Sequence, residues 1–281
     1  MTRASRSPVD ELVACLDLEP LDSELFLGDP GPGEGRLFGG MVAAQCTIAA
    51  GRTVAPDRSL HSLHAYFLRP GRHDVPIRFV VDRIRDGRTF TTRRVVAHQA
   101  GEAIFNMSSS FARPEEGISH QSPMPEAPAP EDCEDYEEMR ARAMGSPDVR
   151  RPSAVEVRVA DGGEAGASPS EPWQRNWVRL RGPLPDDPLV HVAGLVYASD
   201  RTLLSTASRI HGLSWGRRMA ASLDHAVWIH RPVRLDEGWL LYASESPAAH
   251  AARGIIFGGL FDREGHRIAS VAQEALIRQS G

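Results

Sequence analysis

Phe38-Gly39-Gly40-Met41 opens a run of small apolar residues, and two glycines at the entrance to a helix can turn backbone N–H groups toward a carbonyl oxygen or a phosphate. The same pair equally suits a helix packed closely against a sheet, and the residues alone leave both uses open. Gly31-Pro32-Gly33-Glu34-Gly35 is also glycine-rich, but it lacks the Lys-Ser/Thr that completes a phosphate-binding loop. His61 and His64 stand on a run that reads as a strand, where their spacing sends them to opposite faces and makes them a poor metal pair. Cys15, Cys46 and Cys133 are scattered and odd in number, so neither a disulfide framework nor a zinc site is expected.

The chain that must position such groups has 281 residues, more than one typical domain, and two domains of ordinary size are expected. A formal charge of −5 supplies no basic field to concentrate nucleic acid or an anionic membrane surface, and neither partner is implied. All 32 basic residues are arginine, which fits a coding bias better than a physical demand for guanidinium. Met1 to Asp10 is polar, no apolar run approaches the roughly 18 residues of a membrane span, and Arg278 to Gly281 is not a peroxisomal address. The cytoplasm is the expected compartment, with no membrane insertion.

Periodicity predicts a short helix near 9–16, a Gly/Pro-rich turn over 28–35 and a buried, Ala-rich helix from Gly40 to about Thr53. Strands follow at 59–68, 75–84, 89–98 and 103–111, divided by Asp86-Gly87 and Ala100-Gly101 turns. One buried helix and an antiparallel meander is the pattern of a hotdog. From 113 to 152 the chain is acidic and Pro-rich, which reads as a linker unable to sustain a core; 161–172 is similarly loop-like. The order then repeats: strands at 154–159 and 173–181, a helix over 188–204, and strands at 223–230, 239–246, 254–262 and 267–277. Phe67-Leu68-Arg69-Pro70 echoes Ile229-His230-Arg231-Pro232 at an offset of 232 − 70 = 162, and Gly101 echoes Gly265 at 265 − 101 = 164. Two matches in order favour duplication. The expected fold class is α+β, a double hotdog with units at 1–112 and 153–281 separated by the linker 113–152. Pairing two halves covers the sheet edge and helix side that one half leaves open.

Ser59-Leu60-His61-Ser62-Leu63-His64-Ala65-Tyr66-Phe67-Leu68-Arg69-Pro70-Gly71 and Arg85-Asp86-Gly87-Arg88-Thr89-Phe90 resemble the N-terminal signature of the type II acyl-CoA thioesterases. Tyr197-Ala198-Ser199-Asp200, Ser222-Leu223-Asp224-His225-Ala226-Val227-Trp228, Trp239-Leu240-Leu241-Tyr242 and Ala269-Ser270-Val271-Ala272-Gln273-Glu274 resemble the second half of that family in the same way. The resemblance covers nearly the whole chain apart from the linker and the first residues. It implies a hydrolase that splits fatty acyl-CoA into a fatty acid and coenzyme A without a metal or redox cofactor, and leaves a homo-oligomer of double-hotdog subunits open. Matched motif by motif, the family's aspartate, serine or threonine, and glutamine that hold the lytic water fall on Asp200, Ser222 and Gln273. The long linker departs from the family pattern at the domain packing and the pocket rim.

Thioester hydrolysis needs an activated water, donors for the oxyanion and a dry channel for the acyl chain. Asp200 beside Leu203 and Leu204 suits a base with a raised pKa; without the family it reads as a helix end. Gln273 in an apolar strand needs partners, or else faces solvent. By the same offset its counterpart in the first half is Ser109 (273 − 164), which reads as a lost constellation. A Ser222 nucleophile with a histidine base is the competing mechanism. Strand alternation separates His225 from Ser222 by face, and His230 lies about 26 Å along the strand, so neither is expected to serve. Arg88, Arg93 and Arg94 could meet CoA phosphates, although a solvated strand face explains such residues more often. Two other functions share the fold: a non-catalytic acyl-CoA-binding or sensing protein, against which the intact trio argues, and enoyl-thioester hydration, which wants an Asp-x-x-x-x-His helix start that neither helix has.

Overall fold

The computed structural model describes residues 6–145, 153–161, 171–212 and 218–279. In chain order the first half contains α1 (Pro8–Leu16), β1 (Glu19–Asp22), β2 (Leu25–Gly28), α2 (Gly39–Gly51), β3 (Ser59–Phe67), β4 (Ile77–Asp86), β5 (Phe90–Gln99) and β6 (Glu102–Ala112). A connecting stretch holds β7 (Glu134–Asp135) and α3 (Tyr136–Ala143). The second half contains β8 (Val155–Val159), β9 (Trp173–Leu180), α4 (Pro188–Ser199), α5 (Leu203–Arg209), β10 (Arg218–Ser222), β11 (Asp224–Ile229), β12 (Leu240–His250), β13 (Arg253–Phe261) and β14 (Arg267–Gln279).

All strands join one antiparallel sheet in the order β1-β2-β4-β5-β6-β3-β11-β14-β13-β12-β9-β8-β7, with β10 beside β14. Read outward from the β3–β11 junction, β6, β5, β4 and β2 are mirrored by β14, β13, β12 and β9. The register at the junction has the same symmetry. His64 pairs with Ala226, its own counterpart at 226 − 64 = 162, while Ser62 pairs with Trp228 and Tyr66 with Asp224. The two halves are therefore related by a pseudo-twofold axis through that pair, and the fold is a double hotdog.

α2 shows no polar stripe because it is enclosed on all sides: Val42, Ala43, Ala44, Cys46, Ile48 and Ala49 are all buried. It lies against the sheet and antiparallel to α4, with Gly51 meeting Leu189 at one end and Gly40 meeting the Tyr197 carbonyl at the other. A Cβ at Gly40 would stand 2.7 Å from that carbonyl oxygen, so the glycine pair does serve close helix packing.

Three expectations need correction. The helix expected over 188–204 ends at Ser199; Asp200 is its C-cap, and Thr202, with φ −125°, begins the separate α5. Asp and Thr side chains compete with the helical backbone, and the Ser199 carbonyl is taken by the Tyr242 hydroxyl at 2.9 Å. Arg93 neither lines a solvated face nor reaches a ligand phosphate. It is 1% exposed, bonded to Thr53 through its side chain and carbonyl, and paired with Asp86 at 2.6 Å. The segment 113–152 is not without a core: Asp135 caps α3 through the Glu137 and Glu138 amides, and Tyr136 and Met139, one helical turn apart, are buried. Ahead of α3, Met124 and Ala127 cover Trp177, Trp239, Leu241 and Phe261 on the sheet face away from α2, and the Pro128 carbonyl accepts from Trp177 Nε1 at 2.8 Å. The short strands β1, β2, β7 and β10 went unexpected because each has too few residues to show alternation.

Residues 113–123 are exposed and carry no regular structure, whereas 130–143 is anchored. Limited digestion with a Glu-specific protease should therefore cut at Glu115 or Glu116 well before Glu137 or Glu138, as read by mass spectrometry of the first fragments. A first cut within α3 would contradict this packing.

Candidate active site

The C-terminus of α4 and the N-terminus of α2 meet where the two helices cross the sheet junction. Asp200 leaves α4 there, with 7% of its surface exposed. A Cβ at Gly39 would lie 3.0 Å from Asp200 Oδ2 and 2.3 Å from the Phe67 ring, so the backbone approaches the carboxylate as only glycine allows. The Gly40 amide acts on Asp200 and lowers its pKa, as expected for a carboxylate beside the positive end of α2. Burial nonetheless dominates and pushes the Asp200 pKa up to about 7, against the lowering effects of Ser222, Gly40, Gln273 and the Arg201 charge.

Ser222 ends β10, and its hydroxyl donates to Asp200 Oδ1 at 3.3 Å. Gln273 lies on the inner face of β14, fully buried, and its Nε2 donates to Ser222 Oγ at 2.6 Å. The three residues named from the family motif thus converge, although they come from a helix end and two strands. The amide of Gln273 does not end the chain of contacts. Its Oε1 lies 2.6 Å from His225 Nδ1, and His225 Nε2 lies 2.8 Å from Ser199 Oγ, on the residue before Asp200.

His225 is the residue that strand alternation missed. Ser222 pairs with Ala275 and Ala226 with Ala272, so four steps along one strand match three on β14. That bulge reverses the alternation and brings Ser222 and His225 to the same amide. Asp224 supports it by accepting the Glu274 amide at 2.5 Å where the ladder is interrupted. His225 and Ser222 are therefore not on opposite faces; what separates them is that both ring nitrogens of His225 have other partners. Burial lowers the His225 pKa to about 4, so the ring is neutral whenever Asp200 is ionised. His230 instead meets Ser270 in an exposed contact. The signal available in the sequence was a histidine beside the apolar run Ala226-Val227-Trp228-Ile229.

The first half has no such group at the matching positions. Leu63 and Ser109 face each other where the second half has His225 and Gln273, and α2 ends on Arg52, bonded to the Leu18 carbonyl and Asp17. Beside the convergence, Arg201 pairs with Glu137 and lies 5.6 Å over the Tyr136 ring, so α3 of the connecting stretch reaches the rim. Asp262, Glu264 and His266 cluster in an exposed turn far along the chain; exposed acidic groups of this kind do not by themselves make a metal site.

Known proteins resemble the chain over this same architecture. A model described as acyl-CoA thioesterase matches residues 150–276, and one described as the acyl-CoA thioesterase N-terminal domain matches residues 28–112. Acyl-coenzyme A thioesterase 8 of Mus musculus is 37% identical, covering 95% of this chain and 88% of the mouse protein. Acyl-CoA thioesterase 2 of Haemophilus influenzae is 36% identical, covering 97% of this chain and 98% of its own length. The crystal structure of an acyl-CoA thioesterase II from Mycobacterium marinum superposes with a TM-score of 0.79 at 39% identity, covering 97% of this chain and 98% of that one. The chain belongs to the acyl-CoA thioesterase family.

Proposed function

We propose that this protein hydrolyses fatty acyl-CoA to a free fatty acid and coenzyme A by direct attack of a water held by Asp200, Ser222 and Gln273. The observation that carries the reading is the convergence of those three side chains on one buried point, because polar groups brought together in an apolar junction are costly unless they act together. Ionised Asp200 takes a proton from the water as its oxygen attacks the thioester carbonyl carbon. The C–S bond then breaks, and the thiolate of coenzyme A takes up the proton. Ser222 and Gln273 orient the water. The positive end of α2 lies where negative charge grows on the carbonyl oxygen. A cavity of about 660 Å³ against the first turn of α2 is lined by Phe38, Met41 and Tyr197, with Arg36 and Arg201 among its polar groups; it reaches Arg201, the chain neighbour of Asp200, but not the trio itself.

The proposed functional units are 1–112 and 153–281, with 113–152 connecting them, a division that the mirrored strand order supports. The cytoplasm is the proposed compartment: Cys15, Cys46 and Cys133 are free thiols, and among the described residues no helix is long and apolar enough to cross a membrane.

Asp200→Asn keeps the shape and removes the base. Turnover of a saturated acyl-CoA should fall by roughly 10²–10⁴-fold, the scale of a lost general base, with smaller losses for Ser222→Ala and Gln273→Ala. A folded Asp200→Asn protein with near wild-type turnover would contradict the reading, and an acyl-enzyme trapped on Ser222 would replace it. The same variant has a second, opposite consequence. The Asp200 pKa is raised in the fold, so the stability that goes with its protonated form is present below 3.8, its ordinary value, and is lost as pH rises through about 7. Asn carries no charge, and the variant should exceed the wild type by about 1–3 kcal/mol in urea unfolding at pH 8, the gain fading toward pH 4. An equal gain at both pH values would show that desolvation of the carboxylate is not its source.

A further inference from the structure

An ionised carboxylate can only accept hydrogen bonds, and that single fact fixes the direction of the contacts behind it. Ser222 must donate to Asp200, so its oxygen is left to accept from Gln273 Nε2. Gln273 Oε1 then faces His225 and needs a donor from Nδ1. The neutral ring has one N–H, and if Nδ1 carries it, Nε2 must accept. The Ser199 hydroxyl lies 2.8 Å from Nε2, but its one proton is also shared with the Val196 carbonyl at 2.9 Å, so this contact does not by itself fix the tautomer. An amide with no such neighbour could turn over and present its oxygen to Ser222, which would then give its proton to the amide and not to Asp200.

We propose that His225 is a positioning residue that locks the Gln273 carboxamide with its N–H groups toward Ser222 and Asp200. The inference rests on the reading that Gln273 orients the lytic water. His225 touches neither Ser222 nor the carboxylate in these contacts; it acts through the amide. The first half supplies the comparison. At the corresponding pair, Leu63 faces Ser109, and with no carboxamide to orient there is no histidine. A strand of this fold therefore accepts leucine at that place, so the demand for histidine is a demand of the site.

The test is steady-state hydrolysis of a medium-chain acyl-CoA by His225→Leu, His225→Asn, His225→Gln, Gln273→Ala and the double variant His225→Leu/Gln273→Ala, with thermal unfolding of each. Asparagine places its Nδ2 as many bonds from Cβ as histidine places Nδ1, so His225→Asn keeps a donor for Gln273. Glutamine reaches the Nε2 side and does not. His225→Leu and His225→Gln should lose about 10- to 100-fold in kcat with KM little changed, the scale of a misplaced reacting group. His225→Asn should stay within about threefold of wild type. Because His225 acts through Gln273, the double variant should be no slower than Gln273→Ala, a non-additivity that a merely structural role would not produce. Equal activity in the Asn and Gln variants, or losses that multiply in the double variant, would overturn the inference while leaving the water-holding trio standing. Gln273→Ala with wild-type turnover would overturn the trio and this inference together. If His225→Leu fails to fold, the contrast between the Asn and Gln variants still decides.

Discussion

Asp200 is a carboxylate placed where charge is costly, and much of the second half is arranged around that cost. An isolated buried carboxylate would simply take up a proton. Here the Ser222 hydroxyl, the Gly40 amide, the Gln273 amide and the Arg201 charge each lower the pKa that burial raises, and the balance settles near 7. Further from the carboxylate, the contacts through the Gln273 amide have one workable direction. Because Asp200 only accepts, Ser222, Gln273 and His225 are oriented in sequence, and His225 in turn lies 2.8 Å from Ser199, the chain neighbour of Asp200. The Tyr242 hydroxyl ties the Ser199 carbonyl to β12, so the end of α4 that carries both residues is fixed to the sheet.

The pairing of the two hotdogs provides this place. The symmetric register about His64 and Ala226 joins the two sheets edge to edge. It also lays α2 and α4 antiparallel, so that the N-terminus of one helix meets the C-terminus of the other. By the same symmetry a second meeting point exists at the end of α2, where Arg52 stands in place of the acid and Leu189 fills the space at Gly51. The symmetry makes two equivalent corners that differ in content: one is packed shut, and the other holds the polar groups. The connecting stretch bears on the corner that holds Asp200, through Glu137 and Arg201.

The fold was legible because its signals are local and periodic. The Ala-rich run after Gly40, the alternating strands and the Arg-Pro echo at an offset of 162 each constrain the backbone directly. The trio was legible only through motif resemblance, since a serine before a strand and a glutamine within one carry no periodic mark. His225 was missed because alternation is a rule for unbroken strands, and a one-residue bulge at Leu223 reverses it without altering the hydrophobic pattern. The end of α4 at Ser199 was missed for a related reason. Residues 188–204 are helical by propensity, and what stops the helix is tertiary: Tyr242 from β12 and the contacts of Asp200. The acidic connecting stretch misled through composition, since two well-spaced residues, Tyr136 and Met139, were enough to seat a helix.

The account turns on the protonation state of one carboxylate, and the pH dependence of kcat/KM for acyl-CoA hydrolysis reads it directly. A general base acts only when deprotonated, so the rate should rise about tenfold per pH unit below a midpoint near 7 and level above it. His225, held neutral down to about 4, should add no second limb above that value. A profile flat from pH 5 to 9, or one whose midpoint lies in the ordinary carboxylate range near 4, would mean that Asp200 is not a buried base and would contradict the account at its centre.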